Sequence, residues 1–219
     1  MSYYPPSASF AAPSGPTGPS PAIRRSVLVL YWLTAAASCA ATVAIASRRS
    51  RLDEFRSTVM GDLESENKFV IVAVFVLTML VVTSAIATAI WTLRLVSSAQ
   101  ARNVSGLSPG WAVGGWFVPV GLLFIGFRQI RRSVAGVGAR TGRVLAWQIG
   151  FVGLAISLAG AQVTSTNLGT VGSFDSAYSD ATLELVLSLT SSVLFLVTAA
   201  LATWAITHAD RAVEAVAPS

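Results

Sequence analysis

Residues 106–134 read "GLSPGWAVGGWFVPVGLLFIGFRQIRRSV", and whether this stretch crosses a membrane decides how many times the whole chain does. Ser108, Pro109 and Gly110 are predicted to end one helix and begin the next, because proline is tolerated in a first helical turn but not in a helix interior. Pro119 removes a backbone hydrogen bond within the apolar run. The stretch is therefore interpreted as a proline-kinked span, and a re-entrant segment lining a cavity is the alternative.

Small and aromatic residues in the same stretch point to helix packing and to a membrane interface. Gly110 and Gly114 have the GxxxG spacing, which places two positions without side chains on one helix face and lets a neighbouring backbone approach. With Pro119 they form the predicted packing and kink motif. Trp111 and Trp116 are predicted to be interfacial anchors, because an indole N–H there reaches water or headgroups while its ring stays apolar.

The second half of the stretch has the pattern of an amphipathic helix. Phe127, Ile130 and Val134 share one helical face, and the arginines fall mainly on other faces, which predicts a helix at the cytoplasmic surface. Trp91, at the end of the preceding apolar run, is a third predicted interfacial anchor. The residues predicted to contact lipid headgroups or a partner's carboxylates are Arg94, Arg102, Arg128, Arg131 and Arg132.

The composition outside this stretch is also that of a membrane protein. Of the 219 residues 53% are hydrophobic and 11% are charged, with a mean hydropathy of +0.66. The predicted fold is an all-α polytopic membrane bundle with four clear spans plus the third, proline-kinked segment. The five apolar stretches run over about 26–47, 69–93, 111–127, 144–163 and 183–206.

Residues 24–212 are predicted to form one membrane helical domain. The preceding residues 1–23, which are rich in proline, serine and glycine and have no charged side chain, are predicted to be a disordered tail. Residues 213–219 are predicted to be a short C-terminal tail. The single cysteine, Cys39, lies inside the first apolar run and is interpreted as a packing residue, so no disulfide within the chain is possible.

Charges between the apolar stretches suggest an orientation. The segment 164–184 contains no lysine or arginine and is acidic, which places it outside, whereas the basic segment before the fourth span belongs in the cytoplasm together with the C-terminus. The side of the N-terminus depends on the third segment. Five crossings, with the N-terminus outside, are slightly favoured; a re-entrant third segment would instead place the N-terminus inside.

One family resemblance runs through this region. Residues 91–134, "WTLRLVSSAQARNVSGLSPGWAVGGWFVPVGLLFIGFRQIRRSV", resemble the bacterial membrane family catalogued as domain of unknown function 4328, which implies membership but no activity. After Pro119 the sequence "VGLLFIGF" departs from the more polar stretch of that family. The residues that carry the resemblance are Trp91, Arg94, Asn103, Pro109, Gly110, Trp111, Gly114, Trp116, Phe117 and Pro119.

The residue inventory leaves little room for catalysis. His208 is the only histidine, and no carboxylate is expected deep in a span, which argues against a metal site, a cofactor and a proton relay. Serines and threonines in the spans, such as Ser84, Thr88 and Ser157, are interpreted as hydrogen-bonding between helices. Ser188 and Thr190 belong to the same set.

The predicted function is therefore that of a non-enzymatic scaffold or regulatory subunit in the bacterial cytoplasmic membrane. It would act through helix packing and an arginine-rich cytoplasmic face, with the lipid bilayer and either a membrane protein or a second copy as partners. The net charge of +5 fits this placement, and nucleic acid is not an expected partner. A small channel or transporter that uses the Pro119 break is the alternative, followed by a lipid-modifying enzyme.

Overall fold

The computed structural model describes residues 20–55, 63–117, 119–167 and 174–216. In these residues the chain is helical and contains no strand. The helices are α1 (Pro21–Phe55), α2 (Leu63–Gln100), α3 (Pro109–Gly114), α4 (Pro119–Gly136), α5 (Gly142–Asn167) and α6 (Phe174–Glu214).

Three of the helices are long and apolar enough to cross a membrane. These segments are Pro21–Ser47 of α1, Val72–Gln100 of α2 and Thr182–Glu214 of α6. Helix α5 has 26 residues, and its described side chains form the shorter apolar segment Gly142–Leu158. The predicted all-α membrane class is thus confirmed, whereas the structure supports three of the four clear spans by length and hydropathy.

The predicted tails and loops are shorter than the sequence suggested, because the helices continue past the apolar runs. Helix α1 already begins at Pro21 and extends to Phe55. Helix α6 begins at Phe174, within the segment predicted to be an outward loop, and ends at Glu214. Most of the predicted N-terminal tail, residues 1–19, and the end of the C-terminal tail, residues 217–219, lie outside the described residues.

The four long helices pack in the order α2, α1, α6, α5. Helix α1 contacts α2 and α6, and α6 contacts α1 and α5. Hydroxyl groups join these neighbours inside the bundle, where a buried polar group needs a partner. The pairs are Thr34–Ser84 at 3.1 Å, Ser38–Ser192 at 2.9 Å, Thr42–Ser188 and Thr42–Ser192 at 2.7 Å each, and Ser157–Ser191 at 3.0 Å.

These contacts confirm part of the prediction made for the hydroxyl residues. Ser84, Ser157 and Ser188 hydrogen-bond to another helix. Thr190 instead donates to the Val186 carbonyl of its own helix. Thr88 does both, because its hydroxyl lies 2.7 Å from the Ser84 carbonyl oxygen and 3.4 Å from the Tyr31 hydroxyl.

Helices α3 and α4 form an antiparallel hairpin rather than one kinked span. The Ser108 backbone N–H donates to Gln129 Oε1 at 3.3 Å, and Arg132 Nη1 donates to the Gly106 carbonyl at 3.1 Å. The two ends of residues 106–134 therefore lie side by side. The described residues thus have the geometry of the re-entrant alternative and not that of one continuous kinked helix.

Two glycines let the arms of the hairpin approach closely. A Cβ atom placed on Gly115 would lie 2.9 Å from Ile125 Cγ2 and 3.0 Å from the Gly126 backbone nitrogen. One placed on Gly126 would lie 2.7 Å from Trp116 Cε2. Pro119 is the first residue of α4, where its missing N–H costs nothing, so the chain reverses between Gly115 and Pro119.

The start of α1 and the end of α6 lie at the same end of the bundle. Arg24 Nη1 lies 3.7 Å from Asp210 Oδ2, and Arg102 Nε donates to the Val216 carbonyl at 2.7 Å. Ten of the 15 basic residues and two of the 10 acidic residues belong to this end, which we call the arginine end. Its basic residues are Arg24, Arg25, Arg94, Arg102, Arg128, Arg131, Arg132, Arg140, Arg143 and Arg211.

Candidate functional site

A groove between α4 and the start of α5 concentrates charge at the arginine end. Its volume is about 470 Å³. Helix α4 contributes three arginines, and two further polar residues come from Thr141, just before α5, and Gln148, within α5. The lining residues are Phe124, Arg128, Arg131, Arg132, Ala135, Thr141 and Gln148.

The amphipathic pattern of α4 explains why the arginines face outward. Phe127, Ile130 and Val134 are completely buried, as the spacing predicted, and they pack in the main hydrophobic cluster. Residues three and four positions apart share a helix face. Arg128 and Arg131 are three positions apart on the other side of the helix, and both are exposed.

Few groups among the described side chains neutralise these arginines. Arg128 and Arg131 make no hydrogen bond or ion pair with any residue that the structure describes. Arg132 donates to a single backbone carbonyl, that of Gly106. In the described ranges the pair that meets the ion-pair distance is Arg24–Asp210, which lies outside the groove.

The start of α5 adds further positive potential to the groove. The Leu145 backbone N–H donates to the Thr141 carbonyl at 3.1 Å, so Thr141 stands immediately before the first turn of the helix. The first N–H groups of a helix have no partner within it, and they carry the positive end of the helix dipole. The groove therefore combines guanidinium groups, a hydroxyl and a helix N-terminus, which together favour an anion.

The other two predicted contact arginines do not join the groove. Arg94 is exposed on α2. Arg102 Nη1 donates to the Ser98 carbonyl at 2.8 Å, and its Nε donates to Val216. Arg102 thus ties the end of α2 to the residues after α6, which is a structural contact that its position just beyond an apolar run did not reveal.

The three predicted tryptophan anchors occupy different environments. Trp111 is 52% exposed, as an interfacial position requires. Trp91 and Trp116 are instead buried, at 0% and 2% exposure, because they pack inside the arginine end rather than around it. Trp116 lies against Gly126 and Phe127, with a ring separation of 5.3 Å from Phe127.

Trp147 is the centre of the aromatic cluster, although no sequence pattern singled it out. Its ring lies 4.8 Å from Phe127, 6.3 Å from Trp91 and 6.0 Å from Tyr31, in edge-to-face arrangements. It thereby joins α5 to α4, α2 and α1. Such pairs contribute about 0.5–1.5 kcal/mol beyond the burial of their area, so this cluster fixes the hairpin against the long helices.

Asp210 is a buried carboxylate that lies beyond the predicted fifth apolar run and was not selected from the sequence. Its side chain is completely buried near the end of α6, where Oδ1 accepts a hydrogen bond from Trp91 Nε1 at 2.9 Å. Oδ2 faces Arg24 at 3.7 Å and has no hydrogen-bond partner in the described residues. The sequence did contain a signal for this pair. Asp210 follows the last apolar run by about one helical turn, and Arg24 stands just before the first apolar run.

The predicted GxxxG contact is not made within the chain. A Cβ atom placed on Gly110 or Gly114 would meet no atom within 4 Å in the described structure. The close approaches occur at Gly115 and Gly126 instead. The face formed by Gly110 and Gly114 thus meets no other group in the described residues, and a second molecule could pack on it.

In the part of the chain that the structure describes, no group of three or more His, Cys, Asp and Glu side chains could hold a metal ion. His208 Nε2 lies 2.9 Å from the Arg140 carbonyl oxygen, which closes the loop before α5 against α6. Comparisons with family models, curated proteins and solved structures find no match to this chain.

Proposed function

We propose that the protein is a non-enzymatic membrane scaffold or regulatory subunit whose arginine-rich face binds an acidic group. The observation that carries this proposal is the exposed set of Arg128, Arg131 and Arg132, of which the first two have no partner in the described residues. Like charges on one helix face repel each other. A sequence that keeps three of them together is best explained by an anionic ligand outside the chain.

The proposed setting is the bacterial cytoplasmic membrane, with four crossings and both termini in the cytoplasm. Helix α5 would be the fourth crossing, since its 26 residues extend to about 39 Å at 1.5 Å per residue. The arginine end would face the cytoplasm, because basic residues are enriched on that side of a membrane. The α3–α4 hairpin would then dip in from the cytoplasmic side and return.

Membership in the family of domain of unknown function 4328 remains part of this proposal. Its support is the motif of residues 91–134, which coincides with the end of α2 and the hairpin. Trp91 and Trp116 of that motif are core residues here, so the motif would preserve the hairpin's packing. The proposed partners are the bilayer and either a membrane protein or a second copy; nucleic acid is not among them.

A channel or transporter is the alternative, and the break between α3 and α4 favours it. Broken helices often line solute pathways. The space beside this break, however, is filled by Trp116, Phe127 and Trp147, whose rings lie within 6.4 Å of one another. Solute flux through proteoliposomes containing the purified protein would favour the channel.

Partner capture with matched variants tests the scaffold. The full-length protein would be cross-linked in its native membrane and purified, beside Arg128→Gln/Arg131→Gln and the control Arg140→Gln/Arg25→Gln, which removes the same charge outside the groove. We expect a stoichiometric partner with the wild type and the control, and its loss from the groove variant. A variant that retains the partner in full would refute the proposal that this face binds it.

A further inference from the structure

We propose that the groove between α4 and α5 binds the phosphate group of an anionic phospholipid. This inference rests on the proposed function, because it names the acidic group that the arginine-rich face receives. Its first support is the donor set. Arg128, Arg131 and Arg132 lie at positions i, i+3 and i+4 of α4 and all line one cavity of about 470 Å³.

A phosphate suits these donors better than an isolated carboxylate. Guanidinium groups bind phosphate oxygens through paired hydrogen bonds, and several arginines can share the three or four oxygens of one phosphate. Thr141 offers a hydroxyl on the opposite wall. The N-terminus of α5, directly after Thr141, supplies backbone N–H groups of the kind that bind phosphate in many proteins.

The apolar surroundings of the groove favour a lipid over a free phosphate. Phe124, which lines the groove, is 56% exposed. On α5 the exposed side chains of Leu145, Ile149 and Ile156, at 41%, 64% and 69%, follow the face that carries Gln148. Acyl chains could lie along this stripe while the headgroup occupies the groove, an arrangement known for basic pockets at the cytoplasmic ends of membrane helices.

The proposed site lies at the depth where headgroups would be found. The groove belongs to the arginine end, whereas the stripe on α5 leads away from that end toward the middle of the bundle. A phosphate in the groove would also reduce the repulsion among the arginines of α4. Binding in the groove should therefore also stabilise the hairpin against unfolding.

The experiment measures the binding of a fluorescent phosphatidylglycerol to the full-length protein in phosphatidylcholine nanodiscs. Fluorescent phosphatidylcholine and inorganic phosphate are the comparison probes. We expect Arg128→Gln and Arg131→Gln each to weaken phosphatidylglycerol binding about tenfold, since each removes a charged hydrogen-bond donor. Arg140→Gln, which does not line the groove, should weaken it less than about threefold, because an exposed charge outside the groove is screened by solvent and salt.

Two further variants separate the lipid from a free phosphate and the site from bulk charge. Phe124→Ala should weaken binding of the lipid and leave competition by inorganic phosphate unchanged. Equal binding of phosphatidylglycerol and phosphatidylcholine, or equal losses in Arg131→Gln and Arg140→Gln, would overturn the proposed site. Competition by phosphate at the affinity of the lipid would overturn the lipid as its ligand.

The partner-capture experiment distinguishes a failure here from a failure of the proposed function. If the lipid does not bind but partner capture still depends on Arg128 and Arg131, the groove receives a protein carboxylate and this inference is wrong, while the scaffold stands. If the lipid binds as expected but no partner is captured from the native membrane, the scaffold fails and the lipid site remains.

Discussion

At the scale of single residues, a carboxylate in the core organises the arginine end. Asp210 on α6 accepts a hydrogen bond from Trp91 on α2, and it faces Arg24 on α1. Three helices thus converge on one side chain that is completely buried. A buried carboxylate is costly unless it is paired and hydrogen-bonded, so these two contacts offset the cost of burying Asp210.

Trp91→Phe removes the indole N–H that donates to Asp210 Oδ1, and it also leaves part of the buried space of the indole unfilled. The variant leaves Asp210 Oδ1 without its hydrogen bond, and we expect the free energy of unfolding to fall by about 1–3 kcal/mol. Trp111→Phe, which alters an exposed indole, is the control and should change it by less than about 0.5 kcal/mol. Unfolding in detergent would be followed by helical circular dichroism. Equal stabilities of the two variants would show that the Trp91 hydrogen bond contributes nothing.

At the scale of elements, the α3–α4 hairpin depends on two glycines at which its arms approach each other closely. Gly126 lies against the ring of Trp116, and Gly115 lies against Ile125 and the Gly126 backbone. Gly114, one residue before Gly115, faces open space. The two adjacent glycines thus differ, because only Gly115 approaches the other arm, whereas Gly114, which belongs to the predicted motif, does not.

Gly126→Leu and Gly114→Leu form a matched pair at this scale. In Gly126→Leu the new side chain would displace Trp116, and overpacking of this kind costs about 1–3 kcal/mol or more. Gly114→Leu should leave the stability of the single chain unchanged. Monodispersity and thermal midpoints in detergent measure both effects; an unaltered midpoint in Gly126→Leu would contradict the hairpin.

The variants Gly126→Leu and Gly114→Leu also test whether the GxxxG face of Gly110 and Gly114 binds a second molecule. If Gly110 and Gly114 pack against a second molecule, Gly114→Leu should abolish partner capture or self-association while the chain remains folded. Retention of both would show that this face contacts lipid. The prediction made from the spacing would then fail at this site, although the hairpin would be unaffected.

At the scale of the whole molecule, the hairpin is the basis of the proposed number of crossings. Because residues 106–134 return to the arginine end, the start of α1 and the end of α6 meet there, as the Arg24–Asp210 pair shows. An even number of crossings follows for any membrane placement in which the four long helices span. Ten basic residues at this end would then place both termini in the cytoplasm.

Reporter fusions check this topology. Fusions before Met1 and after Ser219 should both report the cytoplasm, and an insertion within residues 165–180 should report the opposite side. An N-terminal reporter outside, with the C-terminal reporter inside, would restore five crossings. It would also require the hairpin to open in the membrane, so it would contradict the hydrogen bond between Ser108 and Gln129.

The sequence by itself determined the properties that depend on composition and local spacing. Hydropathy is a sum over neighbouring residues, so the membrane class and the long apolar helices followed from it. The outward arginines of α4 followed from helical periodicity, since Phe127, Ile130 and Val134 could only be buried together. Inter-helix hydrogen bonds of Ser84, Ser157 and Ser188 followed from the cost of leaving a hydroxyl unpaired.

Only the tertiary structure decided what depends on contacts between distant residues. Pro119 is compatible with a kinked helix and with the first turn of a new one, and the contact of Gly115 with Gly126 selects the second. Trp91 and Asp210 are 119 positions apart, so no local pattern marks them as partners. The groove likewise requires α5 to lie beside α4, because a helix sequence specifies its own faces but not which neighbour each face meets.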